Sequence, residues 1–91
     1  MLTRDYIVVT VSKNTNSFGL YGVIIVAKSG EAWEIGSNAL HLPERGKVLH
    51  CRVDTGVPRL GELGFEIPAR LADMPENLVT KCWSYAEEVQ S

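Results

Sequence analysis

Apolar residues recur at every second position in three stretches of the chain and at helical spacing in a fourth. Residues 6–12, YIVVTVS, are rich in β-branched side chains and predict a strand. Ile7, Val9 and Val11 share one of its faces; Tyr6, Val8, Thr10 and Ser12 share the other. The polar run 13–17 ends it. Residues 18–27, FGLYGVIIVA, are apolar on both faces, which suits a central strand covered from both sides. Gly19 and Gly22 mark a bend or bulge within it. Residues 28–31 have the composition of a hairpin turn, with Gly30 free to take a positive φ. The next strand, 31–36, alternates: Trp33 and Ile35 face inward, Ala32 and Glu34 outward. A fourth strand, 47–53, sets Leu49, Cys51 and Val53 against Val48, His50, Arg52 and Asp54 on the opposite face.

After Asp54 the alternation stops. Residues 55–72 mix glycine, proline and scattered apolar anchors, and predict an irregular connection packed on the sheet, with room for a short strand at 64–67. A helix follows over about 73–90. Asp73 and Glu76 have the spacing of a capping box, Pro75 suits a first turn, and Leu78, Cys82, Tyr85 or Ala86, and Val89 form the apolar stripe. These elements predict one α+β domain over residues 1–91. Its sheet, over 5–54, is mostly antiparallel, four- to five-stranded and curled into a small half-open barrel, with the C-terminal helix packed across it. One helix covers one face, so the strand that is apolar on both faces leaves a second face for the 55–72 segment or another chain.

The charge distribution adds one feature. The net charge is −2, too small to steer the chain to nucleic acid or an anionic surface. Residues 1–60 hold seven basic and five acidic side chains, a balance of +2; residues 61–91 hold two and six, a balance of −4. The acidic excess reads as the solvated face of the helix. The opening residues lack the pattern of a secretory leader, and the longest apolar run, residues 23–27, is far shorter than a membrane span. The expected setting is cytoplasmic, with Cys51 and Cys82 as reduced thiols.

Candidate chemistry is sparse. Asp54-Thr55-Gly56 resembles the catalytic tripeptide of retroviral aspartic proteases, but the resemblance covers those three residues only. Thirty-five residues follow Gly56, without a flap hairpin or a supporting apolar strand, so Asp54 and Gly56 read as the end of a strand and a turn. His41, His50, Cys51 and Cys82 do not fall at zinc spacings, and His50 and Cys51, adjacent on a strand, point to opposite faces. No nucleophile elbow, phosphate loop or dinucleotide pattern is present. No catalytic, metal or cofactor residue is therefore expected.

For nucleic acid, the basic residues Lys13, Arg45, Lys47 and Arg52 are few and interleaved with Glu31, Glu34, Glu44 and Asp54, so that reading stands second. The first is a non-enzymatic protein-binding or adaptor module, with a protein partner or a second copy of the chain on the open face. Its size resembles that of phage and mobile-element accessory proteins. The residues assigned to the partner are Trp83, at the shoulder of the helix stripe, with Tyr21, Arg52 and His50 on the sheet.

Overall fold

The computed structural model describes residues 2–59 and 68–90. Six antiparallel strands and one helix make up the described part: β1 (Thr3–Thr15), β2 (Tyr21–Ala27), β3 (Ala32–Ser37), β4 (Val48–Asp54), β5 (Val57–Arg59), β6 (Ala69–Arg70) and α1 (Glu76–Gln90), with a short 3-10 turn at Ala39–His41. The spatial order is β5-β4-β1-β2-β3-β6, and the sheet curls into a half-barrel with α1 packed on its outer side. The two strands beyond the expected number are the short β5 and β6, both inside the segment read as irregular. The strand considered at 64–67 lies outside the described residues.

Two apolar layers sandwich the sheet. Tyr6, Val8, Val23, Ile25, Ala27, Trp33, Ile35 and Cys51 fill the concave side. Ile7, Val26 and Ala32 meet Val79, Trp83 and Ala86 of the helix on the other. β2 is thus covered on both faces, as its composition requires, and it is covered within the chain. Of the two covers expected for the second face, the described part of the 55–72 segment supplies one: Val57 packs against the concave layer together with Val11, Leu42 and Leu49.

Three local expectations are corrected. Val11 does not share a face with Ile7 and Val9, because β1 advances from Val8 to Thr10 while β2 steps only from Ile25 to Ile24. This β-bulge inserts a residue at Val9 and shifts the alternation, so Val11 packs with the concave layer. Ala32 is buried under the helix rather than facing out.

The buried helix stripe is Val79, Trp83 and Ala86; of the expected positions Ala86 is buried and Cys82 packs beside it, whereas Leu78 and Tyr85 are left exposed. Both stripes are apolar, and the one containing the indole removes the most surface from water. The helix begins at Glu76, its first hydrogen bonds accepted by the Pro75 carbonyl. Asp73 accepts a hydrogen bond from Arg70 Nη2 at 2.6 Å. The approach to the helix is fixed by two backbone bonds onto the β2–β3 hairpin, Leu71 N to Ala32 O at 3.0 Å and Met74 N to Gly30 O at 2.9 Å.

Asp54-Thr55-Gly56 forms the tip of the β4–β5 hairpin. Thr55 (φ 50°) and Gly56 (φ 79°) are the two central residues, both in the positive-φ geometry of a type I′ turn. Asp54 is exposed at the end of β4. A β-branched residue is strained there, whereas asparagine visits this region readily. Thr55→Asn is expected to raise stability by about 1 kcal/mol, hence the melting temperature by roughly 4–8 °C. Thermal denaturation followed by circular dichroism checks it, and a lower melting temperature would refute the strain argument.

Candidate partner-binding surfaces

The structure separates the four residues assigned to a partner. Trp83 is only 8 % exposed and belongs to the core, its ring lying under Lys28 Nζ at 5.1 Å. It is not an exposed anchor, because the helix is turned to bury it. Tyr21 is half-buried at the start of β2, opposite Ser37 and next to the far end of β1. His50 and Arg52 come together on the outward face of β4, beside the start of β1.

On that face, His50 Nδ1 meets Asp5 Oδ1 at 2.5 Å across the β1–β4 ladder. Arg52 lies between Thr3 on β1 and Arg59 on β5. Arg52 and Arg59 are directly paired, both exposed, and neither makes an ion pair among the described residues. Pro58, which follows Val57 on β5, opposes Val53. The Val53 N–H donates instead to Leu2 O at 2.9 Å, on the β1 side. The proline therefore sits at a position where β4 needs no donor, and it removes one N–H from the outer edge of the sheet.

At one mouth of the half-barrel lies a cluster that sequence reasoning missed. Glu31 turns its carboxylate over the concave layer and accepts hydrogen bonds from the Tyr6 hydroxyl, from Trp33 Nε1 at 2.8 Å and from Arg4 Nη1 at 2.9 Å. Arg70 stacks its guanidinium 5.6 Å from the Trp33 ring centre and bonds the Ala32 and Leu71 carbonyls. Burial pushes the Glu31 carboxyl up, but the hydrogen bonds from Tyr6 and Trp33 and the charges of Arg4 and Arg70 outweigh it, so it lies below its ordinary value. Burial, then the bond to Glu31, pushes the Tyr6 hydroxyl up to about 12. The signal in the sequence was the i, i+2 spacing of Arg4 with Tyr6 and of Glu31 with Trp33. Only the β1–β2 register, which sets Tyr6 beside Ala27, brings the two pairs together. The Tyr6 hydroxyl and the Trp33 indole N–H are both satisfied by Glu31, which fits a brace better than a binding site.

The opposite end of the sheet carries the largest exposed apolar groups. Phe18, expected at the start of β2, lies instead in the β1–β2 turn and is 78 % exposed. Asn16 pulls it out of the strand: its Oδ1 accepts from Phe18 N at 2.8 Å and Leu20 N at 3.1 Å, its own N–H donates to Leu20 O at 2.8 Å, and Gly19 closes the turn at φ 78°. Leu40, three residues past the end of β3, is 88 % exposed. Tyr21 and Ser37 pair at this end, so Phe18, just before β2, and Leu40, just after β3, adjoin the same end of the β2–β3 hairpin.

Cys51 and Cys82 are free and belong to opposite layers. Burial, then the charge of Asp5, pushes the Cys51 thiol up to about 11. Among the described residues, no three side chains gather as metal ligands, and no helix is long and apolar enough to cross a membrane. Compared with known proteins, the chain matches no family model, no curated protein and no solved structure.

Proposed function

We propose that the protein is a non-enzymatic protein-binding module that engages its partner through the Phe18 end of the sheet. One observation carries this reading: a turn braced by Asn16 holds a phenylalanine ring 78 % exposed while the core beneath is filled. A pre-ordered turn loses little entropy on binding. Covering a phenylalanine or a leucine contributes about 1.5–3 kcal/mol each. Leu40 supplies the second apolar group at the same end. The setting we assign is cytoplasmic, because the two thiols lie on opposite sides of the sheet and cannot pair within one chain.

The test places a photo-crosslinking phenylalanine analogue at position 18 in living cells. Nuclease-resistant protein adducts are expected at position 18 and not at exposed Lys13, and Leu40→Ser should lower their yield. Phe18→Ser should abolish the contact and stay within about 0.5 kcal/mol of the parent stability. Equal labelling from both positions, or a large loss of stability in Phe18→Ser, would assign Phe18 a structural role instead.

A further inference from the structure

We infer that the outer face of the β4–β5 hairpin is a carboxylate clamp, in which Arg52 and Arg59 together hold an acidic segment of the protein partner. The inference rests on the protein-binding reading for the kind of partner and adds that partner's chemistry.

The argument begins with a cost. Like charges directly opposite on neighbouring strands destabilise a sheet, and Arg52 and Arg59 are such a pair. The hairpin does not offset it: Asp5, on the same face, is engaged by His50 at 2.5 Å, and Asp54 at the tip makes no ion pair with either arginine. A carboxylate between the two guanidiniums removes that repulsion, and the planar fork of arginine suits it, with two parallel N–H donors for two oxygens.

The edge chemistry points to side chains as the means of recognition. Adding a strand to a sheet edge needs outward backbone donors and acceptors, and the middle residue of three-residue β5 is a proline. A partner held here is gripped by the arginines.

An acidic protein segment fits this face better than a nucleic acid. Single-strand binders interleave aromatic platforms with basic groups. Here Tyr6, Trp33 and Trp83 are buried, and Phe18 lies at the other end of β1.

The test uses hexaglutamate, hexaglutamine and an oligothymidylate as probes. It follows the Nε–Hε signals of Arg52 and Arg59 by NMR on the full chain. Hexaglutamate should shift both signals saturably, with an effect that fades as salt rises, and hexaglutamine should shift neither. Arg52→Gln and Arg59→Gln should each weaken binding about 2–5-fold, and the double variant should abolish it. Relief of the repulsion should also raise the melting temperature of free Arg59→Gln by roughly 1–4 °C. Unshifted arginine signals, a lower melting temperature in Arg59→Gln, or tighter binding of oligothymidylate would each overturn the clamp. These signals report on the arginine pair alone. Their failure leaves the Phe18 contact standing, and loss of the position-18 adducts is a separate result.

Discussion

Replacing Glu31 with alanine should cost this protein about 3 kcal/mol, a large part of the roughly 5–14 kcal/mol that a domain of this length has in total. The carboxylate is the shared acceptor of the Tyr6 hydroxyl and the Trp33 indole N–H, and both residues are buried. Truncation leaves two buried donors unpaired, at about 1–3 kcal/mol each. Arg4 is partly exposed and can rehydrate, so it adds little. Denaturant titration checks the value, and a loss below about 0.5 kcal/mol would mean that water replaces the carboxylate without penalty.

The same cluster sets a pH window. Glu31 is held below its ordinary value, so its contribution is present above the usual carboxylate range and is lost as pH falls through its folded value. Tyr6 is raised from 10.0 to about 12, so its contribution is complete below pH 10 and is lost as pH rises through about 12. Cys51, raised from 9.0 to about 11, acts in the same sense slightly earlier. Tyr6→Phe should therefore flatten the alkaline end of the melting-temperature profile, and it should weaken the acid end as well, because the Tyr6 hydroxyl is the foremost of the groups that lower Glu31.

Gly30→Ala should be about as damaging, through the backbone. Gly30 has φ 96°, outside the range an alanine accepts without strain, which alone costs about 1–3 kcal/mol. A Cβ there would also lie 2.8 Å from the Met74 carbonyl oxygen, at the point where the chain enters the helix. The Met74 N–H bond to the Gly30 carbonyl, which anchors that entry, would have to give way. Helix docking would loosen, so Trp83 fluorescence should shift to the red as well as stability falling. Gly19→Ala is the control: Gly19 has φ 78° with nothing within 4 Å, so it carries the strain without the collision. Equal losses at the two positions would show that the helix entry adjusts freely.

The hairpin at Gly30 illustrates how much was legible beforehand. A glycine between an apolar run and an alternating run marks a turn, and that turn is where it was expected. Its role as the seat of Met74 was not readable, because the contact spans forty-four residues. The candidate surfaces divide in the same way. His50 and Arg52 were correctly placed on one face of β4, since strand alternation is local. Their neighbour Arg59 was lost in a segment without periodicity, where two short strands give too few positions for a pattern to show. Phe18 was read as the start of a strand because of its apolar neighbours, although Asn16 two residues earlier was the side chain able to turn the chain outward.

By itself the sequence determined the α+β class, the central position of the doubly apolar strand, the β2–β3 hairpin and the presence of a C-terminal helix. These follow from periodicity and turn chemistry, which act over a few residues. The tertiary structure decided which of two adjacent apolar stripes the helix buries, where β1 slips its alternation at Val9, and which three side chains meet at Glu31. In each case the local pattern allowed more than one arrangement. The choice fell to the area buried and the hydrogen bonds completed between residues far apart in the chain.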